Sequence, residues 1–166
     1  FGPHRENVIP NTSANGNAWF VQEVVSVDSP NEELRMVCNL DTRKAAVVNK
    51  SEFSVASFSF DSSASVSLLE HNPNYLKYES QSEADWLVVF SEIYYPKGWV
   101  AMIDGKETQL LRADYVLRAL NVPSGKHTIE FRFQPKAYTI GNKISTASSW
   151  IMLVVLLGSI GWTMKQ

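Results

Sequence analysis

The chain has 166 residues, 45% of them hydrophobic and 19% charged, with a formal net charge of −2 at pH 7. That length fits one domain with a real core, and the near-neutral charge argues against nucleic acid, whose partners present a basic face. The single cysteine, Cys38, excludes an internal disulfide and the cysteine-rich zinc sites. The chain starts at Phe1 with no charged-then-apolar leader, and so reads as a piece of something longer.

Residues 1–15 read as a loose N-terminal segment, 16–143 as a β domain and 144–166 as a transmembrane helix with a short tail. Between Trp19 and Phe133 the dominant hydrophobic period is two, the signature of strands. The first candidate strand is 18–27. A short helix follows, with Ser29 as N-cap, Pro30 at the first helical position and Glu32 completing a capping box. Leu34, Val37 and Cys38 recur at helical spacing, which predicts an inward face and a Cys38 that packs rather than reacts.

Further strands are predicted at 45–49, 53–60, 64–70 and 75–80. Residues Trp86 to Tyr95 are apolar on both faces, as a central strand requires. Strands at 98–103 and 113–122 follow, and Asp104-Gly105 has the chemistry of a type I′ hairpin turn. Pro96-Lys97-Gly98 and Pro123-Ser124-Gly125 are further chain reversals. The last strand, 127–133, puts Ile129, Phe131 and Phe133 on one face and Thr128, Glu130 and Arg132 on the other. The pattern predicts a mainly β fold: an antiparallel β-sandwich, jelly-roll-like, with one short helix and a C-terminal hydrophobic helix.

From Ile144 to Met164 no residue is charged, and Trp150 and Trp162 bracket the most apolar part. A bilayer core takes about 20 helical residues, and tryptophans favour its two interfaces. The competing reading is a buried helix of a soluble domain, but the apolar residues cover every helical face rather than one stripe. Lys136 and Lys143 precede the segment and only Lys165 follows it, so the charge rule leans weakly against an exported body.

Catalytic chemistry is hard to place. His4, His71 and His127 have no serine or cysteine motif around them, and no metal-ligand spacing or glycine-rich phosphate loop occurs. No catalytic residue, metal site or cofactor is therefore assigned. The most suggestive stretch is Tyr94, Tyr95, Lys97 and Trp99, followed by Arg112, Asp114 and Tyr115. Aromatic faces stack on sugar rings, while Arg, Asp and Lys bond hydroxyls or phosphate, so these residues form a candidate glycan-binding set. The competing reading is that the rings fill the sandwich core, since aromatics favour strands in any case.

Residues Leu87–Trp99, Ile103–Lys106, Arg112–Ala119 and Val122–Phe133, in this order, resemble the C-terminal region of YfhO-type bacterial membrane proteins. Gly16–Val21 and Ala45–Val48 add to the resemblance, which leans to Bacteroidetes members. Such proteins span the membrane many times and are similar to C-type glycosyltransferases that use polyprenyl-phosphate-linked sugars. The resemblance implies an extracytoplasmic (periplasmic-side) β-sandwich held at the bacterial inner membrane by a final helix. It implies three partners: the lipid bilayer, the remaining membrane part of the same protein, and a glycan or lipid-linked sugar. Catalysis in that superfamily lies in an early extracytoplasmic loop, so the fragment itself is expected to be inactive.

Overall fold

The computed structural model describes residues 11–55 and 63–163. In chain order the elements are β1 (Ala18–Phe20), β2 (Glu23–Val27), α1 (Pro30–Val37), β3 (Ala45–Asn49), β4 (Ser65–Asn72) and β5 (Tyr75–Ser82). They continue with β6 (Trp86–Ile93), β7 (Trp99–Ile103), β8 (Lys106–Thr108), β9 (Leu111–Ala113), β10 (Leu117–Val122), β11 (Gly125–Phe133) and α2 (Lys136–Thr163).

Two antiparallel sheets pack face to face, as the period-two pattern requires. One has the order β1-β6-β10-β9, the other β4-β5-β11-β7-β8. Strand β6 is apolar on both faces because both are covered. Val88 and Phe90 point into the core shared with Leu76, Tyr78, Ile129 and Phe131 of the five-stranded sheet. Leu87 and Val89 point the other way, onto Val21, Ala46, Val48 and Phe53. That second layer is a β2-α1-β3 unit, whose strands pair in parallel from Glu23↔Ala45 to Val27↔Asn49. The unit adds one parallel pair to the antiparallel sandwich, joined by a helical crossover as parallel strands demand.

Several local expectations hold. Ser29 Oγ accepts from the Glu32 N–H at 3.3 Å and Pro30 opens α1. Asp104 and Gly105 both take positive φ, 51° and 76°, as a type I′ turn needs. Val89, Phe90, Ile129 and Phe131 are fully buried.

Others need correction. Leu34 and Cys38 are exposed, and the side chain of α1 that is wholly buried is Glu33. A polar pairing, described below, turns the helix this way. Strand 18–27 divides at Val21-Gln22, where the chain crosses between layers, and 113–122 divides at a turn over 114–116. Residues 53–55 are not strand, and the rest of that prediction, 56–60, lies outside the described residues.

Helix α2 contains a stretch, Ile140–Ile160, with mean hydropathy 1.5 and none of it buried. Its length and composition suffice to cross a membrane. The helix itself begins at Lys136, ahead of the uncharged run.

Candidate functional site

Two turns close the same end of the sandwich. Residues 94–98 join β6 to β7, and residues 114–116 join β9 to β10. The Tyr94 N–H donates to the Val116 carbonyl at 2.7 Å, which holds the turns side by side. The residues that the sequence singles out for a glycan lie in or beside these turns, but the fold divides their roles.

Asp114 and Tyr115 have φ of 51° and 69°. A left-handed backbone of this kind costs a bulky residue about 1–3 kcal/mol and persists only where neighbours enforce it. Strand β3 and helix α1 supply the enforcement. The Asp114 N–H donates to the Val47 carbonyl at 2.9 Å, and the Val47 N–H donates to Asp114 Oδ1 at 2.8 Å. The Tyr115 N–H donates to Glu33 Oε1 at 2.9 Å.

Glu33 also accepts from Arg112 Nη2 at 3.0 Å, and the same nitrogen reaches Glu52 Oε1 at 3.2 Å. Burial works against the charge on Arg112, but Glu33 and then Glu52 outweigh it and raise its pKa. The guanidinium lies 5.7 Å from the centre of the Phe53 ring and 5.9 Å from that of Tyr115, within cation–π range. Tyr94 meets Phe53 edge-on at 5.6 Å, and burial raises its pKa.

Asp114 is 4% exposed and its Oδ2 has no hydrogen-bond partner. Burial pushes its carboxyl from 3.8 up to about 6; the Val47 N–H pulls the other way, and the Glu33 charge adds to the rise. Between those two pH values the native carboxyl keeps a proton that the unfolded chain has released. Stability from this group is therefore full below about pH 4 and falls as pH rises through about 6, by up to about 3 kcal/mol. Asp114→Asn keeps an acceptor for Val47 and suits the left-handed backbone. It should be near neutral at about pH 4 and more stable than the parent above about pH 6. Denaturant unfolding of both chains across that range measures the difference, and a pH-independent difference would contradict the assignment.

Trp99 belongs to the other layer. Its ring packs on Phe133 at 5.3 Å and lies 4.2 Å beneath the Arg118 guanidinium. Arg118 is buried between the sheets, donating from Nε to the Ile93 carbonyl at 2.8 Å. Burial lowers its pKa, with Glu92 and Tyr78 opposing. Tyr94, Trp99, Arg112 and Asp114 are thus engaged inside the domain, whereas Tyr95, Lys97 and Tyr115 present exposed surface.

Glu33, Glu52, Phe53 and Arg118 are participants that sequence reasoning missed. Only Arg118 left a trace there, since it shares an alternation with the apolar Leu120 and Val122.

A second feature lies at the opposite end. A groove of about 400 Å³ is lined by residues including Asp104, Lys106, Thr108, Asn121 and His127. His127 Nδ1 lies 2.6 Å from Asp104 Oδ2, and its Nε2 lies 3.1 Å from the Ser124 carbonyl. The Asp104 hydrogen bond raises the His127 pKa and that of Asp104 falls in return. Both ring nitrogens face acceptors, an arrangement that favours the protonated ring and suits a structural clasp better than a general base. Among the described residues no group of three His, Cys, Asp or Glu is placed to hold a metal ion.

No curated protein and no solved structure matches the chain. A family described as bacterial membrane protein YfhO matches residues 39–145, from just after α1 into the first part of α2. That span is more than half of the chain and includes both turns and the Arg112 cluster apart from Glu33. The chain therefore belongs to the YfhO family of bacterial membrane proteins.

Proposed function

We propose that this chain is a non-catalytic, extracytoplasmic β domain that helps a bacterial membrane protein handle a glycan or its acceptor at the inner membrane. The observation that carries the reading is the placement of Tyr95, Lys97 and Tyr115 on exposed surface at one end of the sandwich, beside the partly buried Arg112 cluster. Exposed rings beside a cation suit a sugar, or the phosphate of a lipid-linked sugar. The strained Asp114-Tyr115 backbone supports it too, since such strain collects where a side chain must be aimed. The full-length protein would then supply any glycosyl transfer.

A second reading, a bracing or partner-binding module, draws on the internal engagement of Arg112, Asp114, Tyr94 and Trp99. Variants at exposed positions separate the two. In the full-length protein Tyr95→Ala and Lys97→Ala should lower glycan transfer to the cell envelope while leaving expression and unfolding unchanged. Transfer at the parental level in both would refute glycan handling and favour the brace. Arg112→Ala is unsuitable for this purpose because it also breaks the fold's ion pair.

A further inference from the structure

The end of the sandwich that carries the two turns is also the end from which α2 departs. Phe133, the last residue of β11, is the register partner of Trp99, the first of β7. The Gln134 N–H still donates to the Gly98 carbonyl at 2.6 Å, and a Cβ on Gly98 would run into the Phe133 ring. The chain is therefore fastened to the 94–98 turn until Pro135, and α2 begins at the next residue.

This leaves a short tether. At 1.5 Å per residue, the helix rises about 6 Å from Lys136 to Ile140 and about 12 Å to Ile144, where the uncharged run begins. The headgroup region on each side of a bilayer is about 5–8 Å thick. A body held this closely to the start of the span reaches the headgroups with this end first.

The surface of that end matches such a setting. Ile93 is 70% exposed, Tyr95 49%, Val116 47% and Tyr115 39%. Ile93 is the register partner of Leu117, and the Tyr94–Val116 hydrogen bond joins the two turns, so these residues share one end of the sandwich. Lys97 stands within it and Tyr138 is exposed on the first turn of α2. Tyrosine, lysine and isolated aliphatic side chains suit the membrane interface. The opposite end, with its turns at 82–85, 104–105 and 123–124, carries Glu83, Asp85 and Asp104 and, among the described residues, none of the exposed large apolar side chains.

We propose that the patch of Ile93, Tyr95, Tyr115 and Val116 seats in the lipid headgroup layer that α2 enters, standing the sandwich upright on the bilayer. The continuity of the patch with the span selects lipid as its occupant. The inference rests on α2 as a membrane span; it shares Tyr95 and Tyr115 with the glycan reading, and lipid quenching tests it without any glycan present.

The whole chain, carrying Cys38→Ser so that the exposed native thiol is absent, is reconstituted into phosphatidylethanolamine–phosphatidylglycerol vesicles. Single cysteines are introduced as Tyr95→Cys, Val116→Cys or Ser124→Cys, each at an exposed position. An environment-sensitive fluorophore on each is then challenged with headgroup-nitroxide lipid. Labels at 95 and 116 should shift to the blue and lose most of their emission, while the label at 124, at the far end, keeps its own. Equal quenching at all positions, or none at 95 and 116, would overturn the proposal. So would a blue shift at 95 and 116 without lipid quenching, which would show protein, either a second copy or another membrane segment, covering the patch.

Discussion

Arg112→Met should destabilise the domain by about 3–5 kcal/mol, the usual cost of removing one partner from a buried ion pair. Glu33 is wholly buried, and its carboxylate accepts from the Arg112 guanidinium at 3.0 Å and from the Tyr115 N–H at 2.9 Å. Methionine fills much of the vacated space but leaves the carboxylate without its counter-charge. The effect spreads, because Glu33 also fixes the left-handed Tyr115 and so the turn next to Tyr94. Glu33→Leu combined with Arg112→Met removes both charges and should recover part of the loss, though the Tyr115 N–H then lacks its acceptor. Equilibrium urea unfolding of the single and double variants reads the coupling. A single-variant loss below about 1 kcal/mol would mean that water reaches Glu33 and that the pair holds little together.

The same pair explains where the sequence misled. In α1, Leu34, Val37 and Cys38 have the spacing of an inward face, yet Leu34 and Cys38 are exposed and Glu33 is buried. The partner that draws Glu33 inward lies 79 residues later in the chain, beyond the reach of any local periodicity. The break in the predicted strand 113–122 has a similar origin. Turns with positive φ are usually marked by glycine, but Asp114 and Tyr115 are held there by Val47 and Glu33, which belong to another layer. The parallel pairing of β2 with β3 is likewise set by tertiary packing onto β6.

What was legible follows from strong alternation. Strand β6 is apolar on both faces because two layers cover it, and β11 alternates cleanly because one of its faces is solvated. The Asp104-Gly105 turn and the Ser29 cap are local chemistry and needed no distant partner. The Pro96–Gly98 reversal that carries part of the candidate glycan set was legible from its turn chemistry. The division of that set into internal and exposed groups was not, since it depends on Phe53, Glu52 and Arg118 arriving from elsewhere.

Phe131→Ala, for its part, should cost about 3–5 kcal/mol, in the range for truncating a fully buried aromatic side chain. Phe131 is wholly buried between the two antiparallel sheets, where its ring meets Phe90 at 4.8 Å and Tyr78 at 6.0 Å, both edge-to-face. Phe90 and Tyr78 touch each other at 5.0 Å, so the three rings form a closed cluster bridging β5, β6 and β11. Removing one ring opens a cavity against both others. The Arg118 guanidinium, 5.4 Å from the Phe131 ring, loses one of the aromatic faces that offset its burial. Phe131→Leu retains more of the volume and should cost less, because it sacrifices ring geometry rather than opening the full cavity. Equilibrium unfolding of the detergent-solubilised chain compares the two. If alanine costs less than about 1 kcal/mol, the sheets do not close over this position, and the register pairing Phe131 with Leu76 and Ala101 is wrong.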